Sequence, residues 1–196
     1  MHELSENRVP ALRGPVAFTQ MLLSQFLKNG DLAVDATCGN GHDTLLLAEL
    51  CGSNGHVWGF DIQREAIAAT GRRLENAGLA GRVTLMQTGH EELHRHVEGP
   101  LKAVCFNLGY LPGGDREIIT RPDTTVAALG HAVHQLAPGG IVAITVYSRH
   151  PRGCDEKNAV ESWSAGLAPQ EYHCWRVGQL NVPSDAPFGI VIQKGA

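Results

Sequence analysis

Apolar β-rich runs alternate with amphipathic helical stretches along most of the 196 residues. The pattern predicts an α/β fold: a doubly wound, mostly parallel, seven-stranded sheet closed by a C-terminal antiparallel hairpin. Three observations carry the prediction. The apolar run Leu32–Ala36 feeds the turn Thr37-Cys38-Gly39-Asn40-Gly41, which opens a helix; a strand, a glycine turn and a helix make the nucleotide-binding unit of such sheets. Asp61 closes the next apolar run, His56–Phe60, about twenty residues further on, where a carboxylate can accept ribose hydroxyls. The last two β-rich runs, Tyr172–Leu180 and Phe188–Gln193, are joined by a short segment rich in Asn, Pro, Ser and Asp; without room for a crossover helix they must run antiparallel.

Taken in order, Pro15–Asn29 has apolar residues at helical spacing (Phe18, Met21, Leu22, Phe26) and stops at Gly30. Leu32–Ala36 is the first strand and Asp43–Leu50 the helix after the glycine turn. His56–Phe60 is the second strand, and Glu65–Ala77 a helix ended by Gly78. Arg82–Met86 is the third strand, followed by a short helix over Glu91–Val97. Leu101–Phe106 is the fourth, and its exit carries Asn107-Leu108-Gly109-Tyr110-Leu111-Pro112-Gly113-Gly114-Asp115. Thr124–Leu136 reads as a helix broken by Pro138-Gly139-Gly140, Ile141–Tyr147 as the fifth strand, and Asp155–Leu167 as a polar helix before the hairpin. No repeat, low-complexity tract or long linker intervenes, so a single domain over 1–196 is expected.

Composition narrows the function classes. Hydrophobic residues make up 43% and charged residues 18%, ordinary for a globular chain, and no apolar run reaches bilayer-spanning length. The N-terminal residues carry acids where a secretory signal carries bases. Five scattered cysteines without a C-x-x-C pair read as buried thiols in a reducing compartment, so a cytoplasmic location is expected. A net charge of −4 argues against binding nucleic acid by bulk attraction, while local recognition of a folded RNA stays open. Two basic clusters, Arg72-Arg73 and Arg149-His150-Pro151-Arg152, are solvated surface or local RNA contacts.

The turn after the first strand identifies the expected cofactor. A dinucleotide fingerprint places a third glycine where this chain has Thr44, and Asp35 lies beside the turn, where it would repel a pyrophosphate. A cation suits that acid. S-adenosylmethionine, with its ammonium and sulfonium, is therefore the expected cofactor and a nicotinamide dinucleotide the disfavoured one. Asp35, Gly39, Asn40, Gly41 and His42 are assigned to its binding, with Asp35 alternatively a turn former. Asp61 is assigned to the ribose; Gln63 is either an edge contact or first-turn helix decoration. Gly89 and His90 follow the third strand, where such folds cover the adenine. His90, His94 and His96 lie close in sequence, but no carboxylate or cysteine accompanies them at ligand spacing, and no metal site is assigned.

Asn107-Leu108-Gly109-Tyr110 resembles the Asn-Pro-Pro-Tyr motif of amino-group methyltransferases, with Gly109 in place of a proline. In that motif the Asn side-chain oxygen and the next backbone carbonyl accept hydrogen bonds from an amine, and the Tyr ring packs on the substrate's flat face. The element order, ending in an antiparallel hairpin, resembles the Rossmann-like class I methyltransferases. Asp35–Thr44, Gly59–Gln63 and Asn107–Asp115 together resemble the small bacterial family first described as rRNA methylases and associated with MnmM-type tRNA 5-aminomethyl-2-thiouridine methylation. The likeness runs from about Pro15 to the C-terminus, and it implies transfer of a methyl group to the aminomethyl nitrogen at a tRNA wobble uridine.

On that resemblance Asn107, Leu108 and Tyr110 serve the acceptor, and either His150 or Asp115 takes the amine proton unless both are structural. The partner is a tRNA anticodon stem–loop whose base is splayed out to stack on Tyr110 or Tyr147; a homodimer is left open. The segment Tyr147–Glu156 and the tail Gln179–Phe188 depart from the family pattern near the substrate entrance. The alternatives are an rRNA or small-amine methyltransferase of the same fold and a nicotinamide-dependent oxidoreductase.

Overall fold

The computed structural model describes residues 12–149 and 153–196. Seven strands form one sheet in the order β3-β2-β1-β4-β5-β7-β6: β1 (Leu32–Asp35), β2 (His56–Phe60), β3 (Val83–Met86), β4 (Leu101–Leu108), β5 (Leu136–Val146), β6 (Tyr172–Val177) and β7 (Phe188–Lys194). The first five pair in parallel, while β7 runs antiparallel to both β5 and β6. The C-terminal hairpin is as expected, and β7 inserts between β5 and β6 rather than adding at the edge.

The helices are α1 (Gly14–Phe26), α2 (His42–Cys51), α3 (Arg64–Asn76), α4 (Leu93–His96), α5 (Pro122–Gln135) and α6 (Gly153–Ala165). Strand periodicity sorts them into two layers. Ala33, Ala103, Cys105 and Ala143 point to one face, where they pack with Leu23 of α1, Leu27 just after it, Leu47 of α2 and Leu74 of α3. Val34, Val104, Phe106, Val142 and Ile144 point to the other, against Leu93 of α4, Leu129 and Val133 of α5 and Val160 of α6. Small side chains on the first face let α1 and α2 approach closely; the bulkier residues opposite fill the space under α4–α6.

Boundaries differ by a few residues from the sequence reading, with two informative exceptions. Pro138-Gly139-Gly140 does not lie outside the fifth strand: β5 starts at Leu136 and carries these residues as a bulge, because Leu101 pairs with Leu136 and Ala103 with Ile141. Gly140 is required there, since a Cβ would stand 2.9 Å from the Ala137 and Leu101 carbonyl oxygens. The fourth strand runs two residues further than expected, so Asn107 and Leu108 are paired with Thr145 and Val146 rather than free in a loop. The expected short helix over Glu91–Val97 is a 3-10 turn, His90–Glu92, leading into α4. Cys38, Cys51 and Cys105 are buried thiols, but Cys154 and Cys174 are exposed, which corrects the expectation for those two.

Strand order reverses between β1 and β4, which lie side by side with β2 and β5 on their outer flanks. Chain leaving the carboxyl ends of these two strands diverges to opposite faces and opens a crevice between them. The glycine turn leaves β1 there, and the Asn107 turn leaves β4.

Candidate active site

The crevice is a cavity of about 780 Å³, within the range of small-molecule sites. Its β1 wall is the glycine turn. Cys38 N–H donates to the Phe60 carbonyl (2.9 Å), and Gly39, at φ +52°, donates its N–H to Asp61 Oδ2 (3.0 Å). From α3, Thr70 donates its hydroxyl to the Gly39 carbonyl (3.1 Å), and Arg73 Nε donates to the Asn40 carbonyl (2.8 Å). The expected solvated Arg73 thus clamps the turn, whereas Arg72 is exposed. Gly39, Asn40 and His42 line the cavity; Gly41 does not. Gly41, at φ +78°, serves packing instead: a Cβ would meet the Thr70 Cα at 2.8 Å.

Asp35 is also corrected. Its carboxylate is fully buried behind the turn and absent from the cavity wall, accepting the Thr44 hydroxyl (2.6 Å) and the Thr37 N–H (3.1 Å). An acid at a strand end was expected to meet the ligand; here the turn folds over it and consumes its oxygens. Burial, and then the nearby Asp43 charge, push it up to about 7 against the opposing hydrogen bonds. The same geometry explains Thr44, which fills the position of the missing third glycine with a hydroxyl locked onto Asp35.

The β2 wall presents Asp61, which accepts the Gly39 and Gln63 N–H groups on separate oxygens (3.0 and 2.9 Å). Burial raises its carboxyl above the usual range against those bonds. Each oxygen keeps a lone pair for a further donor. Gln63 lines the cavity just before α3. Gly89 and His90 complete this side; His90 is nearly buried against Phe106, burial lowers its imidazole, and its Nε2 has no hydrogen-bond partner among the described residues. His94 instead stacks on His131 (4.0 Å) and His96 tilts against Phe60, so the three neighbouring histidines diverge.

The β4 wall carries Asn107, Leu108, Gly109 and Tyr110. Asn107 N–H donates to Thr37 Oγ1 (2.7 Å), tying the two strand exits together. Its Nδ2 donates to Asp43 Oδ2 (2.6 Å), while Gln20 of α1 donates to Asp43 Oδ1 (2.6 Å). A carboxylate only accepts, so the Asn107 amide nitrogen must face Asp43 and its oxygen is left as an acceptor. Gly109 has φ +150° and donates its N–H to Thr120 Oγ1 (2.8 Å). A proline could do neither, so the turn differs from Asn-Pro-Pro-Tyr in conformation as well as in sequence. Thr120 in turn donates to the buried Glu156 of α6 (2.6 Å). Tyr110 stands under the Arg116 guanidinium, 5.5 Å from the ring centroid. Tyr147 closes the far side, its hydroxyl raised by burial and then by Asp43.

Asp115 is corrected as a proton acceptor: it is exposed, off the cavity wall, and accepts the Glu117 N–H (2.9 Å) in its own loop. His150 and Arg152 lie outside the described residues. Arg149 forms an exposed ion pair with Asp185 and does not line the cavity, whereas Arg116 and Arg121 do. Sequence reading missed Asp43, Gln20 and Thr120. Asp43 sits within the glycine-turn motif itself, and an acid in a helix's first turn was its one visible signal.

Residues 57–193 match the family described as "Putative rRNA methylase". This chain belongs to the rRNA methylase family. A crystal structure from Clostridium thermocellum, described in the same words, is 41% identical with a TM-score of 0.91, covering 93% of this chain and 98% of that one. A Streptococcus mutans family neighbour crystallised with S-adenosylhomocysteine is 35% identical with a TM-score of 0.85, covering 93% and 99%. The rRNA methylase family chain is thus a class I, S-adenosylmethionine-dependent methyltransferase. An Arabidopsis thaliana chloroplastic tRNA (mnm(5)s(2)U34)-methyltransferase is 39% identical over 169 residues, 81% of this chain; the chain spans 62% of that relative's length. Among the described residues no helix is long and apolar enough to cross a membrane.

Proposed function

We propose that this chain methylates the aminomethyl nitrogen of a tRNA wobble (2-thio)uridine, using S-adenosylmethionine as donor. The observation that carries the reading is the Asn107 amide, turned by Asp43 so that an acceptor oxygen remains at a cavity wall. Such an oxygen receives an N–H and leaves the amine lone pair to attack. The tRNA assignment is supported by the likeness to the plant tRNA enzyme.

The residues present fit the donor. Asp61 offers its free lone pairs to ribose hydroxyls, the His90 Nε2 offers the adenine edge a polar partner, and the acids Asp43, Asp61 and Glu91 make this part of the wall anionic toward a cation. S-adenosylmethionine supplies an electrophilic methyl group on a sulfonium. Gly39, Asn40 and His42 shape the floor beneath it, and Gln63 flanks the ribose side. Asn107 Oδ1 and the Leu108 carbonyl accept the amine protons and aim the nitrogen, while Tyr110 and Tyr147 flank a splayed base. Because the transfer is an in-line displacement, positioning supplies most of the rate. The fold is one domain with the site at its centre.

The test is methyl transfer by the purified protein to tRNA bearing 5-aminomethyl-2-thiouridine, followed by nucleoside mass analysis. A new methylaminomethyl nucleoside is the expected product. Transfer to ribosomal RNA or to free small amines, with tRNA untouched, refutes the wobble-uridine assignment.

A further inference from the structure

We infer that Asp43 is the seat of a primary ammonium group, at the point where the donor-side and acceptor-side walls of the cavity meet. Three elements build it: Asp43 opens α2, Gln20 reaches in from α1, and Asn107 ends β4, and all three side chains line the cavity. Both hydrogen bonds the structure gives the carboxylate come from neutral amides, at 2.6 Å each. They fix its position, and among the described residues they bring no opposite charge to it. Each oxygen accepts one bond and keeps a lone pair for another donor. Three groups packed around it lie close enough to be affected: Asp35 of β1, Cys105 of β4 and Tyr147 beyond β5 are each shifted up by it, after burial. A carboxylate at a cavity wall, held among the described residues by amides rather than by a cation, is complementary to a small cation with N–H groups.

Two primary amines belong to the proposed reaction: the acceptor aminomethyl group and the amino-acid ammonium of the donor. For the first source this inference rests on the tRNA reading above; the second is independent of it. In the acceptor case Asp43 also favours the chemical step. The seated ammonium first loses one proton to water; as the N–C bond forms, the S–C bonding pair leaves with the sulfur, the nitrogen turns from neutral to positive, and a second N–H proton is then released to water. An anion beside that nitrogen interacts more strongly with the charged transition state than with the neutral amine.

The test measures discrimination rather than activity alone. Binding of an anticodon stem–loop carrying 5-aminomethyluridine is compared with the same stem–loop carrying uridine, and binding of S-adenosylhomocysteine with its deaminated analogue, which keeps the carboxylate and lacks only the ammonium. Each pair is titrated against the parent protein, Asp43→Asn and Asp43→Glu, all checked for folding by circular dichroism. A charged hydrogen bond at Asp43 gives a preference of about 10- to 100-fold for the amine-bearing member. Loss of the RNA preference in Asp43→Asn, with partial return in Asp43→Glu, assigns the seat to the acceptor. The same pattern in the nucleoside pair assigns it to the donor. Retention of both preferences in a folded Asp43→Asn overturns the inference. A parent protein that never prefers the amine-bearing RNA refutes the tRNA reading instead, and the nucleoside arm still decides Asp43.

Discussion

On the β1–β2 side of the cavity, backbone meets carboxylate: the Gly39 and Gln63 N–H groups close on Asp61, Thr37 and Thr44 close on Asp35, and α3 braces the turn through Thr70 and Arg73. On the β4–β5 side, the loop after Leu108 is largely exposed, with Tyr110 38% and Ile118 37% accessible, and Thr120 supplies its main tie to the core. The contrast follows from what each side must recognise. One receives a small molecule of fixed shape, so preorganisation costs nothing and favours affinity. On the proposed function the other admits a polymer that must enter and leave, and an exposed, aromatic, partly basic rim suits that.

The largest effect is expected where the two sides meet. Asn107→Ala should lower kcat by about 100-fold or more while leaving cofactor affinity nearly unchanged, because it removes a group that orients the acceptor. Single-turnover kinetics with calorimetry separates the two, and a fully active variant would reduce the Asn107 turn to a structural element. Next, Asp61→Ala should weaken S-adenosylmethionine binding by about 10- to 100-fold, since the ribose loses charged acceptors. An unchanged affinity in a protein that still melts cooperatively would remove Asp61 from the donor site.

Thr120→Val probes the looser side. It strands the Gly109 N–H and one oxygen of the buried Glu156, whose other oxygen keeps the Thr125 hydroxyl, so a stability loss of about 1–3 kcal/mol is expected, with Thr120→Ser close to the parent. Equal melting of the parent and the valine variant would mean that the tie is redundant. A smaller change concerns the rim. Arg116→Ala should raise KM for tRNA and lower its salt slope by about one, and Arg149→Ala should change less because Asp185 already occupies it. The reverse ranking would move the RNA to the Asp185 face.

A pH dependence tests the braced side without a ligand. Asp35 has a folded value raised from 3.8 to about 7, so its contribution to stability is fully present below about 4 and is lost as pH rises through 7. Thermal melts between these limits should show the parent losing stability relative to Asp35→Asn as pH rises. A difference that stays constant would show that Asp35 does not titrate there.

Much of the donor side was legible because its signals are local. A glycine turn needs its glycines within a few residues, and the acid Asp61 follows one strand later, so Gly39, Asp61 and Gln63 could be placed at one cavity by spacing. Asp115 failed for the complementary reason: membership in a distinctive run says nothing about which way a loop residue faces, and it faces outward. Asp35 and Gly41 were in the correct motif, but on the far side of the turn, where a hydrogen bond to Thr44 and contact with Thr70 take them.

By itself the sequence determined the strand and helix alternation, the antiparallel ending, the glycine turn with its distant acid, and the distinctive Asn107–Tyr110 segment at the exit of the fourth strand. Each of these is a short-range pattern imposed by backbone geometry or by the period of a strand or helix. Only the tertiary structure decided that Asp43, Gln20 and Asn107 meet, across separations of 23 and 64 residues, and that Thr120 ties the acceptor loop to Glu156 from 36 residues away. Such contacts depend on strand order and on which face each helix covers, and those are settled by packing the whole sheet between its two helical layers, not by any single stretch of chain.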